Sequence, residues 1–286
     1  MAKPKIPSPI RKWTALKLEY LDYYLQAYVR AAKRAREIHY IDAFAGCGDC
    51  VIIENGWSVE GSPWRALNTV PAFTRYYFVE KEENLASHLR STILDKGLKN
   101  AHVYAGDCNQ VIPAEILPRI PQNVPSFAFL DPTGLQINWQ TIQSLASHRR
   151  NMKMELLILY PYDMAITRLF RLALENPAHY NTLTRFYGDE KWLDEFRASL
   201  RAKETPKQQR DRFVQLYTNN LRALGYQYVE AYEPLYSGHK SLYHVIFASD
   251  NEAGANIMRD VWSKTKFIPG ELGYKPLKRP KIQPKT

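Results

Sequence analysis

The chain has few cysteines, few acids for its many bases, and no long apolar run. Its three cysteines in 286 residues cannot all pair internally and do not form the framework of a small secreted domain. No stretch approaches ~18 uninterrupted apolar residues, so no membrane-spanning helix is expected. The opening Met1-Ala-Lys-Pro-Lys-Ile-Pro has no apolar core of a signal peptide. These absences predict a cytoplasmic chain with no membrane partner. The 39 Lys and Arg outnumber the 29 Asp and Glu, leaving a formal charge of +10. That balance suits a nucleic-acid partner as well as it suits a solvated basic surface. At 45% hydrophobic and 24% charged residues the composition excludes a disordered chain.

The chemistry-bearing stretch is Tyr40–Cys50, Tyr-Ile-Asp-Ala-Phe-Ala-Gly-Cys-Gly-Asp-Cys. It reads as a buried strand running into a tight glycine loop, with Asp42 just before the loop. Gly46 and Gly48 let the backbone bend and approach a ligand closely. A basic, Pro-rich segment (1–12) reads as a loose arm. An amphipathic helix over Trp13–Ala35 leads into the strand.

Beyond the loop, Val51–Gly61 has no helical periodicity. Ser62-Pro63 then predicts a helix start, with Ser62 as N-cap and Pro63 at the first helical position. Short apolar strands alternate with helices from there on: strands at Arg75–Val79, His102–Ala105, Ser126–Leu130 and Leu156–Leu159, helices at Glu82–Lys96, Asn109–Ile120 and Trp139–His148. The pattern predicts an α/β, Rossmann-like fold with a mostly parallel sheet covered on both faces. The divisions expected are an N-terminal arm and helix (1–36), a cofactor-binding half (37–162), a helical insertion (163–205), the rest of the sheet domain (206–264) and a basic tail (265–286). In the last sheet segment Tyr226–Tyr232 and Leu242–Ala248 read as an antiparallel pair.

Four strands end at an acid: Asp42, Glu80, Asp107 and Asp131. Ligands of such sheets bind along that edge. A dinucleotide would need a helix directly behind the loop and a third glycine. Val51 holds the place of that glycine, and the next helix cap comes fourteen positions after Gly48. Asp42 also opposes an anionic ligand. S-adenosyl-L-methionine, cationic at sulfur and amine and without phosphate, suits the edge better. The cofactor set is then Asp42, Phe44, Gly46, Gly48, Glu80 and Asp107, with Glu80 on the ribose hydroxyls and Asp107 on the adenine amine. Asp131 and Pro132, in Asp131-Pro132-Thr133-Gly134, face the acceptor. Cys47-x-x-Cys50 has no second pair and no nearby His, so no metal is expected.

Four features make the chain similar to one family: the Lys-Leu-Glu-Tyr-Leu helix around Lys17, Ile41-Asp-Ala-Phe-Ala-Gly, Gly61-Ser-Pro-Trp-Arg-Ala-Leu and Leu130-Asp-Pro-Thr-Gly-Leu. In this order they resemble the three-Cys-motif partner proteins, from about Trp13 to about Trp262. That family is similar to class I S-adenosylmethionine-dependent methyltransferases. The resemblance implies a seven-stranded sheet with an antiparallel last strand, and a three-Cys-motif protein as a partner. The cysteines of the name belong to that partner, so Cys47, Cys50 and Cys108 are not implied as ligands.

A second resemblance, through Asp-Pro-x-Gly, is to base-amine methyltransferases. Those acting on adenine carry an aromatic in this motif that stacks on the flipped base. Here Thr133 and Gly134 stand in its place, and Tyr160, Tyr162 and Lys240 are the substrate-side candidates instead. Arg168, Arg171, Arg185, Tyr187, Lys191, Trp192 and Arg197 in the insertion, and Lys275, Lys278, Arg279, Lys281 and Lys285 in the tail, are candidates for phosphates and bases. The leading expectation is methyl transfer to a nucleic-acid base amine, on RNA ahead of DNA. A scaffold that keeps the fold without the reaction, and a small-molecule or peptide methyltransferase, stand beside it.

Overall fold

The computed structural model describes residues 6–233, 235–237 and 240–265. In chain order the elements are β1 (Ser8–Ile10), α1 (Lys12–Ala31), β2 (His39–Asp42), β3 (Asp49–Ile52), β4 (Ser58–Glu60), α2 (Ser62–Leu67), β5 (Arg75–Glu80), α3 (Glu83–Asp95), β6 (Ala101–Ala105) and α4 (Cys108–Val111). A π turn (Ile112–Ile116) and a 3-10 turn (Leu117–Arg119) follow, with Pro113 and Pro118 removing the donors a regular helix would need. Then come β7 (Ser126–Leu130), α5 (Trp139–Ser147), β8 (Glu155–Tyr160), α6 (Thr167–Glu175), α7 (Pro177–Tyr187), α8 (Lys191–Arg201), α9 (Pro206–Ala223), β9 (Tyr228–Ala231), β10 (Leu235–Ser237), β11 (Lys240–Ser249) and α10 (Glu252–Thr265).

The main sheet runs β6-β5-β2-β7-β8-β11, and β9 and β10 both pair with the far edge of β11. β6, β5, β2, β7 and β8 are parallel, while β11 is antiparallel to β8, β9 and β10. Counting β9, this is the Rossmann-like sheet of seven strands with the last one reversed that the resemblance implies. β10 extends it by a hairpin. The chain leaves β2 toward β5 and β6, then returns to β7 on the other side. The strand order therefore reverses between β2 and β7, the position where open sheets of this kind leave a crevice at their carboxyl ends.

Strand alternation assigns the two faces. Tyr40, Tyr76, Phe78, Phe127, Phe129 and Phe247 join α1, α3 and α10 in one core. Ile41, Tyr77, Val79, Ala128, Leu130 and Ile158 join α4 to α9 in the other. The helix α1 buries Leu18, Leu21, Tyr24, Leu25, Tyr28 and Val29, positions three and four apart on one face. At the amino end of β8 the buried carboxylate of Glu155 accepts from the Tyr24 hydroxyl of α1 and, at 3.0 Å, from the Ser249 hydroxyl of β11.

Two expectations change. The N-terminal segment is not a loose arm throughout, because Ser8–Ile10 pairs in parallel with Cys50–Ile52. It forms a small second sheet with the hairpin of β3 and β4, which fills the aperiodic Val51–Gly61 stretch. Pro9 is tolerated there because β1 is an edge strand. Ser62 is not the cap of α2: Gly61 takes that place, accepting the Arg65 N–H at 3.1 Å, and Ser62 is the first helical residue.

Candidate functional site

Strand register sets the depth of each acid. Asp42 lies level with Phe78 and Phe129, so Glu80 and Asp131 stand two residues further along their strands. At ~3.3 Å per residue they reach roughly 7 Å beyond Asp42. Asp107 stands two residues beyond Ala105, the partner of Glu80. The four carboxylates therefore form a staircase across four adjacent strands, with Asp42 lowest and wholly buried.

The glycine loop folds over Asp42 and is stitched to β5. Ala45 N–H donates to Val79 O at 2.9 Å, and Gly46 N–H to Glu80 Oε2 at 2.9 Å. The other oxygen of Glu80 accepts Glu82 N–H at 2.8 Å. Gly46 (φ +63°) and Gly48 (φ +83°) both need the left-handed conformation, but for different surroundings. A Cβ on Gly46 would meet nothing within 4 Å, whereas one on Gly48 would lie 2.8 Å from Trp64 Nε1. Gly46 faces open space and Gly48 packs against protein. Phe44 is half-buried against the core, and its N–H donates to Asp42 at 3.1 Å.

The Ser62 hydroxyl is near enough to Asp42 to favour its ionised form. Burial is the main cause that pushes the Asp42 carboxyl up to about 7; the Asp131 and Glu80 charges add to it, and Ser62 and Phe44 N–H work against it. Asp107 caps α4, its carboxylate accepting Asn109 N–H at 2.9 Å and Asn109 Nδ2 at 2.8 Å. Its outer oxygen lies 3.7 Å from the exposed Lys81 ammonium.

Asp131 is met by a residue the sequence did not link to it. Lys17, from α1, lies 2.8 Å from Asp131 Oδ1 and 2.5 Å from Oδ2. Both side chains are largely shielded, at 9% and 14% exposure. The ammonium sits 5.6 Å from the centre of the Tyr243 ring of β11. Burial, then the Asp131 charge, raises the Tyr243 hydroxyl. Pro132 is buried, and the exposed Thr133 gives both its N–H (2.9 Å) and hydroxyl (3.1 Å) to Gln136 Oε1.

The tyrosines expected to offer a base platform are enclosed. Tyr160 and Tyr162 are 0% and 1% exposed. The Tyr160 hydroxyl is 2.6 Å from that of Tyr187 and donates to Phe213 O at 3.2 Å; Tyr162 stacks on Phe213. Both serve to pack the α6–α9 helices onto β8 and present no face to a base. Tyr187 and Trp192 are buried in the same core. The cations interleaved with them, Arg168, Arg171, Arg185, Lys191 and Arg197, remain exposed. The Lys240 side chain, His239 and the tail cations lie outside the described residues.

All three cysteines are free. Cys47 is buried and donates to Asp49 O at 3.0 Å, and burial pushes the Cys50 and Cys108 thiols up to about 12. No helix among the described residues is long and apolar enough to cross a membrane.

No family model matches the chain, and no curated protein matches it. Among solved structures it is similar to Trm1 from Pyrococcus horikoshii with S-adenosyl-L-methionine, at 13% identity and TM-score 0.44, over 91% of this chain and 61% of that one. It is similar to TYW2 from M. jannaschii in complex with AdoMet, at 9% identity and TM-score 0.42, over 84% and 76%. It is also similar to an rRNA methylase from Streptococcus thermophilus, at 12% identity and TM-score 0.41, over 81% and 95%. These likenesses are distant.

Proposed function

We propose that the chain is an S-adenosylmethionine-dependent methyltransferase acting on an exocyclic amine of a nucleic-acid base, RNA ahead of DNA. The observation that carries the reading is the carboxylate staircase at the strand-order reversal, roofed by a glycine loop whose Gly46 opens onto free space. A cradle that a Cβ would fill, beside carboxylates and without a helix N-terminus behind the loop, fits a cation that carries no phosphate. Gly46 would lie against it, Glu80 would offer its remaining lone pairs to the ribose, and Asp107 would face the adenine amine. Bound there, S-adenosylmethionine supplies an electrophilic methyl group.

The chain's own residues then have distinct tasks. Asp42 places a carboxylate beneath the loop, ionised as pH rises through about 7, and fixes the turn through Phe44 N–H. Asp131 faces the acceptor and accepts a hydrogen bond from its amine, and the carboxylate can receive the proton that the amine sheds. The burial of Tyr160 and Tyr162 favours a second reading, a fold that binds the cofactor and a partner without performing transfer.

Calorimetry with S-adenosylmethionine is expected to give a one-to-one isotherm that Asp42→Ala abolishes; absence of heat at millimolar cofactor would overturn the reading. Labelled-methyl transfer to total tRNA, rRNA and DNA separates enzyme from scaffold. Transfer to RNA that is lost in Asp131→Ala supports the enzyme, and binding without any transfer supports the scaffold.

A further inference from the structure

We propose that Lys17 is a positioning residue that sets the net charge of the site's acceptor side, and thereby the preference of the protein for a sulfonium cofactor over its neutral thioether product. The proposal rests on the cofactor reading given above.

Lys17 reaches Asp131 from the other end of the sequence, 114 positions away. It engages both carboxylate oxygens, and both partners are largely shielded from bulk water. Charges in such surroundings are screened weakly, so the pair acts on its neighbours as a unit whose net charge is close to zero. The rest of the edge is anionic. Asp42, Glu80 and Asp107 end the neighbouring strands, and Lys81, the cation beside Asp107, is 71% exposed and well screened. The electrostatic reach of Asp131 extends to the loop side of the site, since its charge acts on Asp42. Lys17 therefore decides whether one more negative charge faces the methyl donor. It also holds the Asp131 rotamer, because two contacts from a buried stem fix a carboxylate better than one.

S-adenosylmethionine and S-adenosylhomocysteine differ by the methyl group and its positive charge at sulfur. Their affinity ratio therefore reads the local charge, while a change in packing alters both affinities together. Calorimetry at one pH and salt would compare the wild type with Lys17→Met, Asp131→Asn, Lys17→Arg and the double variant Lys17→Met/Asp131→Asn. Lys17→Met is expected to raise the ratio on the order of tenfold, because Asp131 is left uncompensated. Asp131→Asn, which keeps the side-chain shape, is expected to lower it by a similar factor. Lys17→Arg and the double variant are expected to return it to within about threefold of wild type. A ratio unchanged in Asp131→Asn and Lys17→Met, with both ligands still binding, would overturn the proposal and leave the cofactor reading standing. Failure of the wild type to bind either ligand would overturn the cofactor reading and the proposal with it. Should Lys17→Met not fold, Asp131→Asn and the double variant still decide the outcome.

Discussion

Burial of Asp42 beneath the glycine loop makes its charge conditional on pH. With its carboxyl pushed up to about 7, it is partly protonated near neutrality. The groups around it are the Tyr40 and Ser62 hydroxyls, the Phe44 N–H, and the charges of Asp131 and Glu80. A cationic cofactor favours the ionised form, so its affinity is expected to rise from pH 6 to pH 8 with proton release on binding. Calorimetry in buffers of different ionisation enthalpy would detect that release, and Asp42→Asn should flatten the profile. Stability moves the other way. An acid whose folded pKa is raised favours folding below its unfolded pKa of about 3.9, and that contribution is lost as pH rises through about 7. The span corresponds to on the order of 4 kcal/mol at most. Urea midpoints should therefore fall between pH 5 and pH 8, and by less in Asp42→Asn. At this scale the sequence was informative about the acids, because a residue type at a strand end is a local signal. It said nothing of Lys17–Asp131, since no local pattern joins two positions so far apart. Ser62 was misread for a related reason: a serine before a proline looks like a cap whichever group its hydroxyl serves.

The long helices and the sheet strands were legible as elements, because α1, α3, α9 and α10 carry their apolar residues at helical spacing and β5, β7 and β8 are short apolar runs ending at polar residues. The strands β1, β3 and β4 were not. At three or four residues each they are too short for an alternation to register, and their pairing depends on a segment that precedes α1. The glycines around this hairpin differ in what a side chain would meet. Gly61→Ala would bring a Cβ to 2.7 Å from the Gly48 carbonyl, and Gly48→Ala to 2.8 Å from Trp64 Nε1. Both should lower the melting temperature by several degrees. Gly46→Ala meets no protein atom, so its stability cost is only the left-handed backbone, roughly 1 kcal/mol. Its S-adenosylmethionine affinity should nonetheless fall more than tenfold. A Gly46→Ala protein that binds as wild type would remove Gly46 from the site.

At the scale of the whole molecule two features bear on stability and partners. Glu155 ties α1, β8 and β11 together through Tyr24 and Ser249. Tyr24→Phe removes one donor from a buried carboxylate and should cost about 1–3 kcal/mol in urea unfolding. On the other face the basic residues of α6, α7 and α8 are exposed while the aromatics between them are not. RNA binding through this surface should therefore be electrostatic without stacking. Its affinity for total tRNA is expected to drop steeply from 50 to 200 mM salt, and the charge reversal Arg168→Glu/Arg171→Glu should weaken it and flatten the salt slope. Salt-insensitive binding would argue for a different surface.

The return of the chain from β6 to β7 has a consequence during synthesis. Translation delivers α1, β2, the glycine loop and β5 long before Ser126–Leu130, which must slide in beside β2 to finish the middle of the sheet. Until then a nascent chain presents one open flank of β2 and a lysine whose carboxylate has not yet been made. The two flanks of β2 thus become available for pairing at different moments of synthesis. The contact between Lys17 and Asp131 can form only once β7 has been made, which makes it a natural position for a probe of co-translational assembly.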